Sequence, residues 1–250
     1  RGFDEFFGFQ EGATDYWKWE LDCNGSPVPA NGRYLTDVLS QAAVEFLRRR
    51  PADPFFLYLA YYTPHRPLQA PQDVLARYLA RSDLTPGQAH VYAMIEVMDR
   101  GIGQVLETLD ELGLADNTIV LFASDNGPDP VRDGDLSPQR FNCGLSGSKY
   151  HVHDGGIRIP MLLRWPAGLP AGVNDHNLVQ FIDVLPTLAA ACGIAISRGQ
   201  RIDGEDRLPA LRGDLGRVDP VRFWQWNRYT PIRDCNAAMR DGPWKLVTPA

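Results

Sequence analysis

From Gln88 to Leu112 apolar residues recur at helical spacing (Met94, Val97, Met98, Ile102, Val105, Leu109, Leu112), and Gly113 follows where a helix end favours a left-handed backbone. After a short connection comes the apolar run Thr118-Ile-Val-Leu-Phe-Ala123, which reads as a buried strand. A long amphipathic helix feeding a buried strand is the repeating unit of layered α/β folds, and it predicts a parallel neighbour for that strand. Gly101 and Gly103 lie inside the helix and should cost about 1 kcal/mol each relative to alanine, so close packing against the sheet is expected to offset them.

The rest of the chain alternates in the same way. Thr36 is placed to cap a helix with the apolar face Val38, Leu39, Ala42, Ala43, Phe46 and Leu47; Arg48-Arg49-Arg50 favours its negative end and Pro51 stops it. Phe55 to Tyr61 is apolar throughout, the pattern of a strand covered on both faces, and the polar break Thr63-Pro64-His65-Arg66-Pro67 follows. Pro128 to Ser148 is a long polar segment of the kind that is uncommon unless functional or mobile. Ile159 to Arg164 reads as another strand closed by a turn at Trp165–Gly168, and Asp183 to Ala191 as a helix with Asp183 as cap. Past Gly199 the texture turns to Gly, Asp, Arg and Pro, then two short aromatic strands, Val221–Trp226 and Ala237–Val247, which predict a small antiparallel subdomain.

Two hundred and fifty residues can bury a sizeable core as one large α/β domain or a domain and a half. A net charge of −6 with scattered basic residues leaves no electrostatic footprint for nucleic acid. No stretch approaches eighteen consecutive apolar residues, so no membrane span is expected. Cys23, Cys143, Cys192 and Cys235 are far apart without a C-x-x-C pair, which argues against zinc ribbons and leaves free thiols as the default. The chain opens without methionine and closes on a strand-like Trp244-Lys245-Leu246-Val247; it reads as a piece of a longer protein, so a missing leader says nothing of compartment.

Chemistry gathers at the predicted strand ends. Asp125 and Asn126 emerge side by side after Ser124, where α/β sheets collect ligands, and two hard oxygen donors suit Ca²⁺ or Mg²⁺. His65 follows the earlier strand, and Lys149 comes directly after the polar segment. Around one tetraoxo anion, a metal would neutralise charge, lysine would hold a non-bridging oxygen and histidine would donate to the ester oxygen.

Several motifs, in order, resemble the type I sulfatases of the alkaline-phosphatase superfamily. They are Arg1-Gly-Phe-Asp-Glu-Phe-Phe-Gly-Phe9, Tyr34-Leu-Thr-Asp37, Pro54–Leu59 with Pro64-His65-Arg66-Pro67, Thr118 through Gly127, Gly147-Ser-Lys149, Asp154-Gly-Gly-Ile-Arg-Ile-Pro160, Trp165-Pro166 and Ile182-Asp183-Val-Leu-Pro-Thr187. The resemblance implies an alkaline-phosphatase-like α/β sandwich with a central, mostly parallel sheet flanked by helices. Residues 1–198 would be the downstream part of the catalytic domain and 199–250 the start of the antiparallel C-terminal subdomain. It implies a sulfuric-ester hydrolase acting on a sulfated small molecule or saccharide, with Asp125 and Asn126 as calcium ligands (magnesium being the other candidate), His65 facing the ester oxygen and Lys149 on the sulfate. A periplasmic or extracellular site follows from the same family habit.

Two departures stand out. Asp154 replaces the glutamate that the family has five positions after the lysine. The C/S-x-P/A-x-R motif whose Cys or Ser becomes formylglycine is absent, as are the paired aspartates that complete the metal site. Cys143 is followed by Gly-Leu-Ser-Gly and is not promoted to nucleophile. The missing parts belong upstream, and the 250 residues alone are expected to be inactive. A phosphodiesterase or phosphoethanolamine transferase of the superfamily is one rival, disfavoured because such enzymes tend to hold zinc or manganese and carry histidine after the aspartate. A non-catalytic binder of sulfated glycans is the other.

Four further groups have plainer readings. His151 and His153 alternate as a two-histidine metal site would, but are read as structural, one of them a candidate for the substrate cleft. Asp129, Asp133 and Asp135 lack EF-hand spacing and are read as a solvated face. Trp224, Trp226 and Tyr229 could stack on a sugar ring, with core packing preferred. The Asp125-Asn126-Gly127 sequence alone is also an ordinary turn.

Overall fold

The computed structural model describes residues 2–49, 54–173, 176–197, 199–227 and 235–248. Two compact units emerge, one of residues 1–115 with 128–141, the other of residues 116–127 with 142–250.

In the first unit a meander of β1 (Phe7–Gly8), β2 (Glu20–Cys23) and β3 (Ser26–Pro29) pairs antiparallel. Asn24 and Gly25 turn β2 into β3 at φ of 50° and 90°, the positive values that a two-residue hairpin turn requires and that Asn-Gly tolerates best. Beside it stand α1 (Leu35–Arg49), α2 (Gln72–Leu79) and α3 (Pro86–Glu111), around a core that includes Tyr16, Leu21, Leu35, Val74, Met94 and Val97.

The α3 helix begins at Pro86, ahead of the Gln88 expected from the apolar period, and ends at Glu111, with a start that the period does not reveal. Thr85 Oγ1 accepts from Gln88 N and Gln88 Oε1 accepts from Thr85 N, a capping box with Pro86 at the first helical position. Gly113 terminates it at φ +66°. Gly101 packs against α1 and not against a sheet: a Cβ there would lie 2.1 Å from Ser40 Oγ and 3.0 Å from Tyr61 Oη. Gly103 meets nothing within 4 Å, so no close contact offsets it.

Two expectations are corrected here. Thr36 is not a cap, because α1 begins one residue earlier; its buried hydroxyl instead meets Thr63 Oγ1 at 2.7 Å. The run from Phe55 to Tyr61 has no ladder partner among the described residues and is not covered on both faces: exposure alternates, with Phe56 and Tyr58 outward and Leu59 and Tyr61 packed inward. Arg50 and Pro51 lie outside the described residues.

In the second unit β4 (Val120–Ala123) pairs with β5 (Met161–Arg164) in antiparallel register, Val120 opposite Arg164 and Ala123 opposite Met161. The parallel neighbour predicted for β4 is therefore not its partner here, because the intervening chain turns back through the four-residue α4 (Asp154–Ile157) without a crossover. A 3₁₀ turn at Phe181–Asp183 leads into α5 (Val184–Ala191), and α6 (Leu208–Arg212) follows. Asp183 gives α5 no side-chain cap; its carboxylate is buried and turned to Arg222. The C-terminal residues form the expected antiparallel sheet, from β6 (Arg222–Gln225), β7 (Ala237–Asp241) and β8 (Trp244–Thr248). The single strand predicted over 237–247 is a hairpin of two, folded at Gly242 with φ +52°.

Candidate active site

The end of β4 is organised by its own polar groups. Ser124 Oγ donates to Asn126 O at 2.9 Å, Asn126 N donates to Asp125 Oδ1 at 2.9 Å, and Asn126 Nδ2 donates to Gly127 O at 2.8 Å. With its amide nitrogen committed to the backbone, Asn126 has Oδ1 to offer a cation. Asp125 is exposed and keeps further lone pairs beyond the one that its neighbour uses.

Glycines then seat this strand end against the loop that carries Lys149. Gly127 N donates to Gly156 O at 2.8 Å, and a Cβ on Gly127 would lie 1.8 Å from Gly155 O. Gly155 N donates to Ser146 O at 2.7 Å; a Cβ there would stand 2.2 Å from Gly147 O, and one on Gly156 would stand 2.1 Å from His151 O. No side chain fits between these backbones. Asn142 Nδ2 donates to Gly147 O at 3.0 Å and holds the near side of the loop. The strand end bearing Asp125 and Asn126, the 142–151 loop and α4 are thus one backbone-to-backbone assembly, with Lys149 inside it.

Lys149 is half-buried, its ammonium 5.7 Å from the centre of the Tyr150 ring, within cation–π range. Asp154, the shorter carboxylate, forms an ion pair with Lys245 of β8, whose ammonium also lies 5.8 Å from the Trp224 ring centre.

His65 belongs to the first unit. Its Nδ1 lies 2.7 Å from both Arg66 O and Tyr62 Oη, Tyr62 Oη donates to Arg66 O at 2.6 Å, and Tyr16 Oη donates to His65 O at 2.9 Å. A carbonyl can only accept, so Nδ1 carries a proton and Nε2 is the nitrogen that can address a ligand.

The oxygen donors of Asp125 and Asn126 are the hard type that calcium takes, and they fit a share of such a site. Among the described residues no three His, Cys, Asp or Glu side chains gather as a metal-binding group. His151 and His153 lie in the bend before α4 and not on a strand edge, ring centres 6.3 Å apart. Asp133 is not simply solvated: its Oδ2 accepts from Leu68 N at 2.6 Å, while Asp129 Oδ1 accepts from Val131 N. Trp226 meets the Tyr150 ring edge-on at 5.3 Å; Tyr229 lies outside the described residues. All four cysteines are free thiols. Lys245 escapes the sequence reading because its partner Asp154 lies 91 residues away, a separation that no local pattern marks.

A strand-end oxygen pair fixed beside a lysine loop by glycine contacts, on an α/β framework, defines a candidate site for a divalent cation and an oxyanion. Residues 1–194 match the profile of the Sulfatase family, and the chain belongs to that family. It is 35% identical over 231 residues to the uncharacterized sulfatase YdeN of Escherichia coli strain K12, covering 90% of this chain and 39% of that protein. To mouse steryl-sulfatase it is 35% identical over 217 residues, covering 84% of this chain and 31% of that protein. The crystal structure of Ps i-CgsB in complex with k-i-k-neocarrahexaose superposes with a TM-score of 0.87 at 30% identity, over 99% of this chain and 58% of that one. The fold is the alkaline-phosphatase-like fold of the sulfatases. The chain spans well under half the length of the two sequence relatives.

Proposed function

We propose that these residues form the downstream part of the catalytic domain of a sulfuric-ester hydrolase. The observation that carries this is the seating of Gly127 on Gly155 and Gly156, which holds two hard oxygen donors in one assembly with a lysine.

In this reading Asp125 and Asn126 supply two ligands of a divalent cation, calcium in preference to magnesium. When bound, the cation would offset negative charge on the sulfate as the ester bond breaks. Lys149 holds a non-bridging sulfate oxygen as a point charge. His65, its tautomer set by Arg66 O and Tyr62 Oη, directs Nε2 to the ester oxygen and, when protonated, donates to the departing alcohol. The nucleophile, a formylglycine on the family resemblance, is assigned to sequence outside these 250 residues. Asn126, an oxygen donor, favours a hard cation over the zinc expected of a phosphoryl-transfer relative.

The substrate class is a sulfated saccharide or a sulfated small molecule; the complex of Ps i-CgsB with k-i-k-neocarrahexaose supports the saccharide. No helix among the described residues is long and apolar enough to cross a membrane. A periplasmic or extracellular location is proposed, where calcium is plentiful.

Calcium titration of the full-length protein by calorimetry tests the metal assignment. Stoichiometric calcium binding that disappears in Asp125→Ala is expected; stoichiometric zinc in place of calcium would favour the phosphoryl-transfer reading.

A further inference from the structure

Tyr150, immediately after Lys149, has φ +79°, a backbone conformation that bulky side chains rarely adopt. Such a conformation persists only where its surroundings over-determine it. Asn236, at the entrance to β7, supplies much of that determination. It is 2% exposed and itself at φ +48°. Its side chain makes three hydrogen bonds: Nδ2 donates to Tyr150 O at 2.7 Å and to Trp226 O at 3.0 Å, and Oδ1 accepts from Val152 N at 3.1 Å. The backbone bond from Trp226 N to Asn236 O, 3.0 Å, closes the same knot, and the Trp226 ring meets the Tyr150 ring. Further along, Lys245 of β8 pairs with Asp154. The segment from 150 to 154 is therefore tied at both ends to the C-terminal sheet, and Lys149 stands at its head.

We propose that Asn236 is a positioning residue for Lys149. By holding Tyr150 in its left-handed conformation, the buried amide sets the direction in which the lysine leaves the backbone and thereby its hold on the sulfate group. The C-terminal sheet thus contributes to anion recognition through one side chain, without touching substrate. This rests on the sulfate-binding role given to Lys149 above.

The two ideas separate in a double-mutant cycle on the full-length protein, read by competitive inhibition with inorganic sulfate, by KM and kcat for an aryl sulfate, and by thermal melting. Asn236→Gly is the main variant because glycine keeps the positive φ while losing all three side-chain bonds. Asn236→Asp is the second: it keeps shape and the acceptor for Val152 N, and faces two carbonyls with oxygen in place of N–H. In either variant that melts as a folded protein, the sulfate inhibition constant and KM should rise about tenfold. In the Lys149→Ala background the same Asn236 change should add nothing, since the group it positions is gone. Unchanged sulfate affinity in a folded Asn236 variant, or effects that multiply with Lys149→Ala, would overturn the proposal. If Lys149→Ala alone leaves sulfate affinity and turnover intact, the role of Lys149 fails first and this inference falls with it.

Discussion

Arg222 Nη2 donates to Asp183 Oδ1 at 2.7 Å in an ion pair whose side chains are 6% and 0% exposed. The carboxylate also accepts from Glu205 N and Gln180 N, both at 2.9 Å, so one buried group joins the turn before α5, the 205 loop and the first strand of the C-terminal sheet. Removing one partner of such a pair leaves an uncompensated buried charge. Asp183→Ala should therefore cost about 3–5 kcal/mol. Glu205, more than half exposed and 3.5 Å from Arg222, is a poor substitute. Urea unfolding measures the loss; a change within about 0.5 kcal/mol, as for an ordinary surface site, would contradict the buried-pair account.

Gly127 is the second vulnerable point. A Cβ would enter Gly155 O at 1.8 Å, so Gly127→Ala must part the strand end from α4. The expected cost is about 1–3 kcal/mol, as for overpacking. On the proposed roles of Asp125, Asn126 and Lys149, calcium affinity and sulfate affinity should fall together, because the contact joins the strand end to the lysine loop. Loss of one without the other, measured by titration, would show that the two halves of the assembly are independent.

Burial pushes the Tyr16 phenol well above its usual 10.0, the neighbouring Tyr34 adds to this, and a hydrogen bond with Thr63 opposes it. Tyr34 and Tyr61 are raised too, again chiefly by burial. A folded-state pKa above the unfolded one means that the unfolded chain ionises first. The stability tied to these phenols is fully present below about pH 10 and is lost as pH rises towards the folded-state values. Tyrosinate absorbance from these residues should rise together with the loss of circular dichroism on alkaline titration; full ionisation of a still-folded protein would contradict it.

Thr85 tests the helix start away from the site. Thr85→Ala removes the hydroxyl that accepts from Gln88 N and should destabilise by about 1 kcal/mol, with kcat/KM of the full-length protein unchanged. A drop in kcat/KM would tie this cap to catalysis and contradict its purely structural assignment.

The long helix, the β4 strand and the antiparallel C-terminal texture are legible because apolar period and Gly113 are local signals. The Asn24-Gly25 turn and the Thr85–Gln88 box are equally local signals, the first a weak one because its flanking strands are only four residues long. Pairing is a different matter. Nothing in the composition of β4 says whether its neighbour runs parallel or antiparallel, and the alternating exposure of Phe55 to Tyr61 is set by what packs on each face. Asp125, Asn126, His65 and Lys149 are legible as candidates because polar side chains at predicted element ends match a family pattern. Asn236 was invisible: an asparagine 86 residues from the carbonyl it binds has no spacing to betray it.

The most direct test of the account is sulfate release by the full-length protein from an aryl sulfate, in calcium and after chelation, for the unaltered sequence and for Lys149→Ala and His65→Ala. Turnover that is lost on chelation, restored by calcium and reduced about 10²-fold or more by either substitution is the predicted result. Release of phosphate from a phosphate ester with none of sulfate, or turnover indifferent to Lys149 and His65, would contradict it.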